Sequence, residues 1–293
     1  MKNRERNGNS GRRNRTVWRA GGTVWALDHR ALVMGILNIT PDSFSDGGEN
    51  LHLEDTLSSA NRLLAEGADI LDIGGESTRP GATAVPVEEE IRRIRPVFEA
   101  LNGRVKAILS VDTSKPEVAE AALKAGASIV NDVTGFRDPR MIDLCAPLDC
   151  GIVVMHMQGS PRTMQRNPRY ADVVGEVRSY FQERLATLVA AGIAAERIVF
   201  DPGIGFGKSL DHNLALIAGL ASLEVAERPV LMGLSRKSFL GSLMERDGLA
   251  CREHPTQALT ALTRRNGAMI HRVHRVNECR HVLRMIEAVL AER

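Results

Sequence analysis

Cysteine is scarce in this chain. The four present, Cys145, Cys150, Cys251 and Cys279, include no C-x-x-C pair, which argues against a thiolate metal knot or a disulfide framework and fits reduced, buried thiols in a cytoplasmic protein. Long apolar runs are missing too. No stretch approaches the roughly 20 uninterrupted apolar residues of a membrane span, and the N-terminus has neither the apolar core of a secretory signal nor the serine content of a transit peptide. There is no H-E-x-x-H or other dense His/Cys/Asp cluster, so His156 and His274 read as hydrogen-bonding groups rather than ligands of a protein-caged transition metal. Charge of one sign is also lacking. The net charge is +2, and Met1 to Arg15 holds six Lys/Arg against one Glu, leaving the remainder mildly acidic. Basicity is therefore local to residues 1–15, a tail with too few apolar residues to pack. It is expected to be disordered and to lie outside the fold, a contact with nucleic acid or a partner being the alternative.

What is present is a repeated alternation. Eight short apolar runs, "ALVMGILNIT", "ADILDIGG", "KAILSVDT", "ASIVNDVTG", "CGIVVMHM", "RIVFDPG", "PVLMGLS" and "AMIHRVH", are separated by helix-period segments such as Glu54–Glu66, Val87–Leu101, Pro116–Ala125, Val173–Ala191, Leu210–Leu220 and Asn277–Ala291. Near-continuous Val/Ile/Leu runs belong to parallel strands covered on both faces. Eight strand–helix units in this length predict an α/β fold, a TIM (β/α)8 barrel formed as one domain over residues 16–293; an open doubly wound sheet is the alternative. Ahead of the barrel, "TVWRAGGTVWALD" reads as a β-hairpin turning at Gly21-Gly22 and suited to plug the barrel floor, or else as a plain N-terminal arm.

In a barrel of this kind the reacting groups stand at the carboxyl ends of the strands. The runs end, in order, at Asn38; Asp72 with Glu76 beyond; Asp112; Asn131 and Asp132; His156; Asp201; Ser235 with Arg236 and Lys237; and Arg272 with His274. One such residue commonly caps a helix or a turn. Eight together imply a polar mouth, amide and acid on one half for a flat heterocycle, cationic on the other for an anion. The loops "SDGG" and "GGESTRPGA" place glycine beside hydroxyl and arginine donors, as anion loops do. "DPGIGFGKS" is not a P-loop, since Pro202 stands where the first glycine is required, and its glycine spacing does not match a dinucleotide fingerprint.

Taken together, "GILNITPDSFSDGG", "DIGGESTRPGA", "SVDTSKPEVAEAALKAGASIVNDVTG", "VVMHMQG", "FDPGIGFGK", "GLSRKSFLG" and "RVH" resemble the bacterial dihydropteroate synthases, from about Val33 to the end of the chain. The resemblance implies a transferase of folate synthesis and a sulfonamide target. It joins 6-hydroxymethyl-7,8-dihydropterin pyrophosphate to p-aminobenzoate with Mg²⁺, through a carbocation-like displacement, in a cytoplasmic homodimer without nucleic-acid or membrane partners. It implies catalytic roles for Asp112, Lys237, Arg272 and His274. The pterin falls to Asp112, Asn131, Met155, Asp201, Phe206, Gly233 and Lys237, the pyrophosphate to Asn38, Thr78, Arg79, Arg272 and His274, and p-aminobenzoate to Phe44, Pro80 and Ser238. Asn38 is the implied Mg²⁺ ligand, and the first loop and the "STRPG" loop are implied to close over the site. Arg275 departs from the family, which has Asp after "RVH". Two further functions stay open: a pterin-binding homologue without synthase activity, and a methyltetrahydrofolate-binding methyltransferase domain.

Overall fold

Eight parallel strands lie side by side in the spatial order Ile198–Asp201, Gly151–Met155, Ile129–Asp132, Ile108–Asp112, Ile70–Gly74, Leu32–Asn38, Ile270–Val273 and Leu231–Met232, and an antiparallel pair, Val17–Ala20 with Thr23–Ala26, stands apart from them. The computed structural model describes residues 16–39, 48–77, 83–160, 163–244 and 248–292, without the side chains of 48–52. The expectation for the tail, residues 1–15, lies outside them.

The barrel strands are β3 Leu32–Asn38, β4 Ile70–Gly74, β5 Ile108–Asp112, β6 Ile129–Asp132, β7 Gly151–Met155, β8 Ile198–Asp201, β9 Leu231–Met232 and β10 Ile270–Val273. A parallel bridge between Phe200 and Val230 joins the two edges, so the sheet is nearly closed. The helices are α1 Gly48–Ala65, α2 Val87–Leu101, α3 Pro116–Lys124, α4 Pro139–Cys145, α5 Val173–Ala190, α6 Leu210–Ala218, α7 Ser238–Leu243, α8 Glu253–Arg265 and α9 Val276–Ala291. The expectation of a (β/α)8 barrel therefore holds.

Side chains alternate faces along a strand with a period of two, and that alternation builds the site. Outward residues such as Leu71, Val111, Val130, Ile152 and Ile198 pack against the helices in one large apolar cluster. Inward residues Met34, Ile70, Ile129, Val153, Val199, Leu231 and Ile270 form a second cluster that fills the barrel floor. Two residues further along these strands the inward positions are Ile36, Asp72, Asn131, Met155, Asp201, Gly233 and Arg272. Each run is thus apolar below and, in most strands, polar above.

The hairpin, β1 Val17–Ala20 with β2 Thr23–Ala26, pairs Ala20 with Thr23 around Gly21 and Gly22. Both glycines have positive φ, +53° and +76°, as a two-residue type I′ turn demands. Trp18 is fully buried within the floor cluster, stacks on Trp25 at 4.9 Å, and donates its indole N–H to the Arg197 carbonyl at 3.1 Å. Trp18→Ala is therefore expected to cost about 3–5 kcal/mol, read as a lowered urea midpoint by circular dichroism. A loss below about 1 kcal/mol would show that the plug is dispensable.

None of the four cysteines forms a disulfide; Cys145, Cys150 and Cys279 are buried, but Cys251 is only half-buried, which corrects the expectation for that thiol. No described helix is long and apolar enough to cross a membrane.

Candidate active site

A cavity of about 520 Å³ opens at the carboxyl ends of the strands. Asn38, Asp112, Asn131, Met155, Asp201, Phe206, Gly233, Lys237, Ser238, Arg272 and His274 all line it. These are all the site residues named from the sequence that are described; Phe44, Thr78, Arg79 and Pro80, and the loop closure that rests on them, lie outside the described residues.

The acidic side is deeply buried. Asp112 is 5% exposed; its Oδ2 accepts from Arg272 Nη2 at 2.6 Å, while Oδ1 is buried with no hydrogen-bond partner within the chain. Burial raises its pKa to about 7; Arg272 opposes the shift, and the neighbouring carboxylates Asp72, Glu90 and Asp132 add to it. Asp201 is raised as well, again by burial, against the pull of the Gly203 N–H and the cations Lys237, Arg272 and Lys208. Its Oδ1 accepts the Gly203 N–H at 2.7 Å.

Asn131 donates Nδ2 to Asp72 Oδ2 at 3.0 Å. Arg272 donates Nε to that same oxygen at 2.6 Å, and two buried carboxylates thereby hold its guanidinium. Lys237 Nζ lies 4.0 Å above the centroid of the Phe206 ring, a cation–π contact that keeps the ammonium over an apolar wall. Met155 and Phe206 belong to a small apolar cluster with Val133, Met157 and Met164. Ser235 Oγ accepts the His274 backbone N–H at 3.2 Å and meets His274 Nδ1 at 2.9 Å, which fixes the ring.

Not every polar strand end faces the cavity. Asp132 turns back on its own loop, accepting from Thr134 N, Thr134 Oγ1 and Phe136 N. Glu76 clasps Lys115 at 2.8 Å and takes the Val85 N–H at 3.0 Å. His156 Nδ1 lies 3.1 Å from Lys208 Nζ, and burial, then the Lys208 charge, lowers the ring to about 3. Arg275 is exposed at the start of α9, with Nη1 3.6 Å from Glu278.

Lys208, which received no role from sequence, is 3% exposed and is brought down to about 7 by burial. It donates to the Phe206 carbonyl at 2.9 Å and the His156 carbonyl at 3.3 Å. The signal was the lysine of "GFGKS" itself, set aside along with the phosphate-loop reading. Gly203, Gly205 and Gly207 all have positive φ, and a Cβ on Gly203 would stand 1.9 Å from the His156 carbonyl oxygen. These glycines therefore fold a tight wall after β8. Among the described residues no group of three His, Cys, Asp or Glu side chains can hold a metal ion.

Comparison with known proteins accords with this geometry. The pterin-binding enzyme family matches residues 34–274. A dihydropteroate synthase of Escherichia coli K12 is 47% identical over 272 residues, which cover 93% of this chain and 96% of that protein. Another, from Neisseria meningitidis serogroup B, is 47% identical over 94% of this chain and 98% of its own length. Among solved structures, the Xanthomonas albilineans dihydropteroate synthase with 4-aminobenzoic acid superposes with a TM-score of 0.87 at 46% identity, covering 94% of this chain and 99% of that one. The Burkholderia cenocepacia enzyme complexed with 7,8-dihydropteroate gives 0.85 at 43% identity, over 94% and 97%. This chain belongs to the dihydropteroate synthase family of pterin-binding enzymes.

Proposed function

We propose that the protein condenses 6-hydroxymethyl-7,8-dihydropterin pyrophosphate with p-aminobenzoate, giving 7,8-dihydropteroate and pyrophosphate. The observation that carries the reading is one cavity that brings together the buried carboxylates and amide of Asp112, Asn131 and Asp201 and the basic side chains of Lys237, Arg272 and His274. A carboxylate accepts two parallel N–H donors, the pattern along the amino-pyrimidine edge of a pterin.

The C–O bond between the pterin methylene and the pyrophosphate breaks as positive charge develops on that carbon. Asp112 stabilises this charge as a fixed carboxylate, while Arg272 and His274 receive the departing anion. The p-aminobenzoate nitrogen then donates its lone pair to the methylene, and its surplus proton leaves to water. Ser238, at the first position of α7, borders the space for p-aminobenzoate.

Asn38 fits Mg²⁺. It offers one neutral amide oxygen at a strand end, and the absence of a carboxylate cage among the described residues suits an ion that keeps waters and takes phosphate oxygens. Bound there, the ion would neutralise charge on the leaving pyrophosphate.

Incubating the purified protein with both substrates and Mg²⁺ is expected to yield dihydropteroate and pyrophosphate in equal amounts. Pterin binding without product would instead leave a binding protein. That outcome would also answer the methyltransferase alternative if a methyl group from methyltetrahydrofolate were transferred.

The reading extends to a cytoplasmic homodimer. Helices α8 and α9 pack together and leave Leu262, Met285 and Val289 exposed, Met285 at 70%. Light scattering is expected to give twice the chain mass for the wild type and the monomer mass for Met285→Asp/Val289→Asp. A wild-type monomer would remove the proposal.

A further inference from the structure

Among the polar strand ends, Asp72 has no part in the mechanism above. It is 0% exposed and does not line the cavity, yet three donors converge on it. Oδ2 accepts from Arg272 Nε at 2.6 Å and from Asn131 Nδ2 at 3.0 Å, and Oδ1 accepts from Ser110 Oγ at 2.6 Å. A buried carboxylate is costly unless it is paired and hydrogen-bonded; this one is both, and two of its partners are cavity residues.

We propose that Asp72 is a positioning residue of the condensation: from beneath the cavity it fixes the plane of Arg272 and decides which end of the Asn131 amide meets the pterin. The inference rests on the functional reading above. A guanidinium is a rigid planar fork, so holding Nε on Asp72 and Nη2 on Asp112 sets the direction of its remaining edge. An amide has one donor end and one acceptor end. With Nδ2 committed to Asp72, Asn131 presents its carbonyl oxygen, and the ligand edge opposite it is selected to carry an N–H donor. Asp72 thus aligns one group on the heterocycle side and one on the anion side. Its negative charge has a second effect, as one of those that raise Asp112.

Two substitutions separate geometry from charge. Asp72→Asn can keep all three hydrogen bonds, because the remaining oxygen accepts from Arg272 and Asn131 and the new NH₂ donates to Ser110, whose hydroxyl can reverse. Asp72→Ala releases both cavity residues. The alanine variant is expected to lose about 100-fold in kcat/KM for the pterin substrate, mainly through KM, with KM for p-aminobenzoate held within about threefold. The asparagine variant is expected to recover to within about tenfold of wild type and to move the acid limb of kcat/KM to lower pH, since a like charge beside Asp112 is gone.

An alanine loss below about fivefold, or equal losses for both substrates, would overturn the inference. So would an asparagine variant no better than alanine with its acid limb unmoved. Should the alanine variant fail to fold, Asp72→Ser, whose shorter side chain cannot reach Arg272 and Asn131 together, takes its place under the same fold-change limits. Calorimetric titration with 6-hydroxymethylpterin, which needs no turnover, is expected to show about 30-fold weaker binding to Asp72→Ala than to wild type. A wild-type protein that binds this pterin but makes no dihydropteroate would fail the functional reading while the affinity ratio still judges Asp72.

Discussion

Asp112→Asn is expected to lower kcat by about 10²–10³-fold, a larger loss than the one its NH₂, now facing the pterin edge, causes in pterin affinity. The asparagine keeps an oxygen for Arg272 Nη2, now 2.6 Å from Asp112 Oδ2, so the ground-state arrangement of the cavity wall survives. What disappears is the negative charge facing the methylene as it becomes electron-poor, an interaction stronger in the transition state than in the bound substrate. Single-turnover measurements separate the two quantities. Equal losses in rate and affinity would assign Asp112 to binding alone.

The same carboxyl sets a pH dependence. Burial raises Asp112 to about 7 in the folded protein, and the proposed chemistry uses its ionised form, so wild-type kcat/KM for the pterin substrate should fall as pH drops through that value. Asp112→Asn should abolish this limb. Stability responds in the opposite sense. Between the ordinary carboxylate range and pH 7 the folded state holds this proton and the unfolded state does not, so rising pH works against folding at this site. Above pH 7 the asparagine variant should therefore melt higher than wild type, a stabilisation achieved by removing the group that catalysis needs.

How much of this was legible in the sequence varied with the physical signal. All eight strands announced themselves because both faces of a parallel strand are apolar until the last inward position. Val87–Leu101 was bounded to the residue, since its buried face, Ile94, Val97, Phe98 and Leu101, repeats at helical spacing. Helices α4 and α7, of seven and six residues, are too short to show a period.

The thirteen-residue α8 carries no apolar period, for a different reason. It buries Thr256, Thr260 and Thr263 in place of an apolar stripe. Their hydroxyls donate back to the carbonyls of Arg252, Thr256 and Leu259, so each of these three buried threonines is paired on the inner face.

The site divides in the same way. A rule about strand ends located Asn38, Asp112, Asn131, Asp201, Lys237, Arg272 and His274, because period-two alternation brings the last inward side chains into one ring, while Met155, Phe206, Gly233 and Ser238 rest on the family resemblance alone. It could not foresee partners within that ring. Arg272 reads from sequence as an anion-facing cation, and the structure ties it to Asp72, 200 positions away, and to Asp112, 160 away. Asp132, by contrast, obeys the commoner rule that an aspartate after a strand caps its own turn.

Asp201 provides the second large effect. Its Oδ1 is committed to the Gly203 N–H at 2.7 Å, and its Oδ2 lies beside Gly233, just past β9, where an added Cβ would sit 3.7 Å away; both residues line the cavity. Asp201→Ala removes both acceptors from a wall that is otherwise buried, and a pterin N–H seated there loses its partner in a place water reaches poorly. The expected cost is about 2–5 kcal/mol of pterin affinity, measured by calorimetry. Asp201→Asn sharpens the test: its amide can still accept from Gly203 only by turning its NH₂ toward the ligand, donor against donor. It should therefore bind pterin no better than the alanine variant, although it fills the same volume. If the asparagine variant instead retained wild-type affinity, the pterin edge would have to lie elsewhere in the cavity, against Asp112 and Asn131 alone.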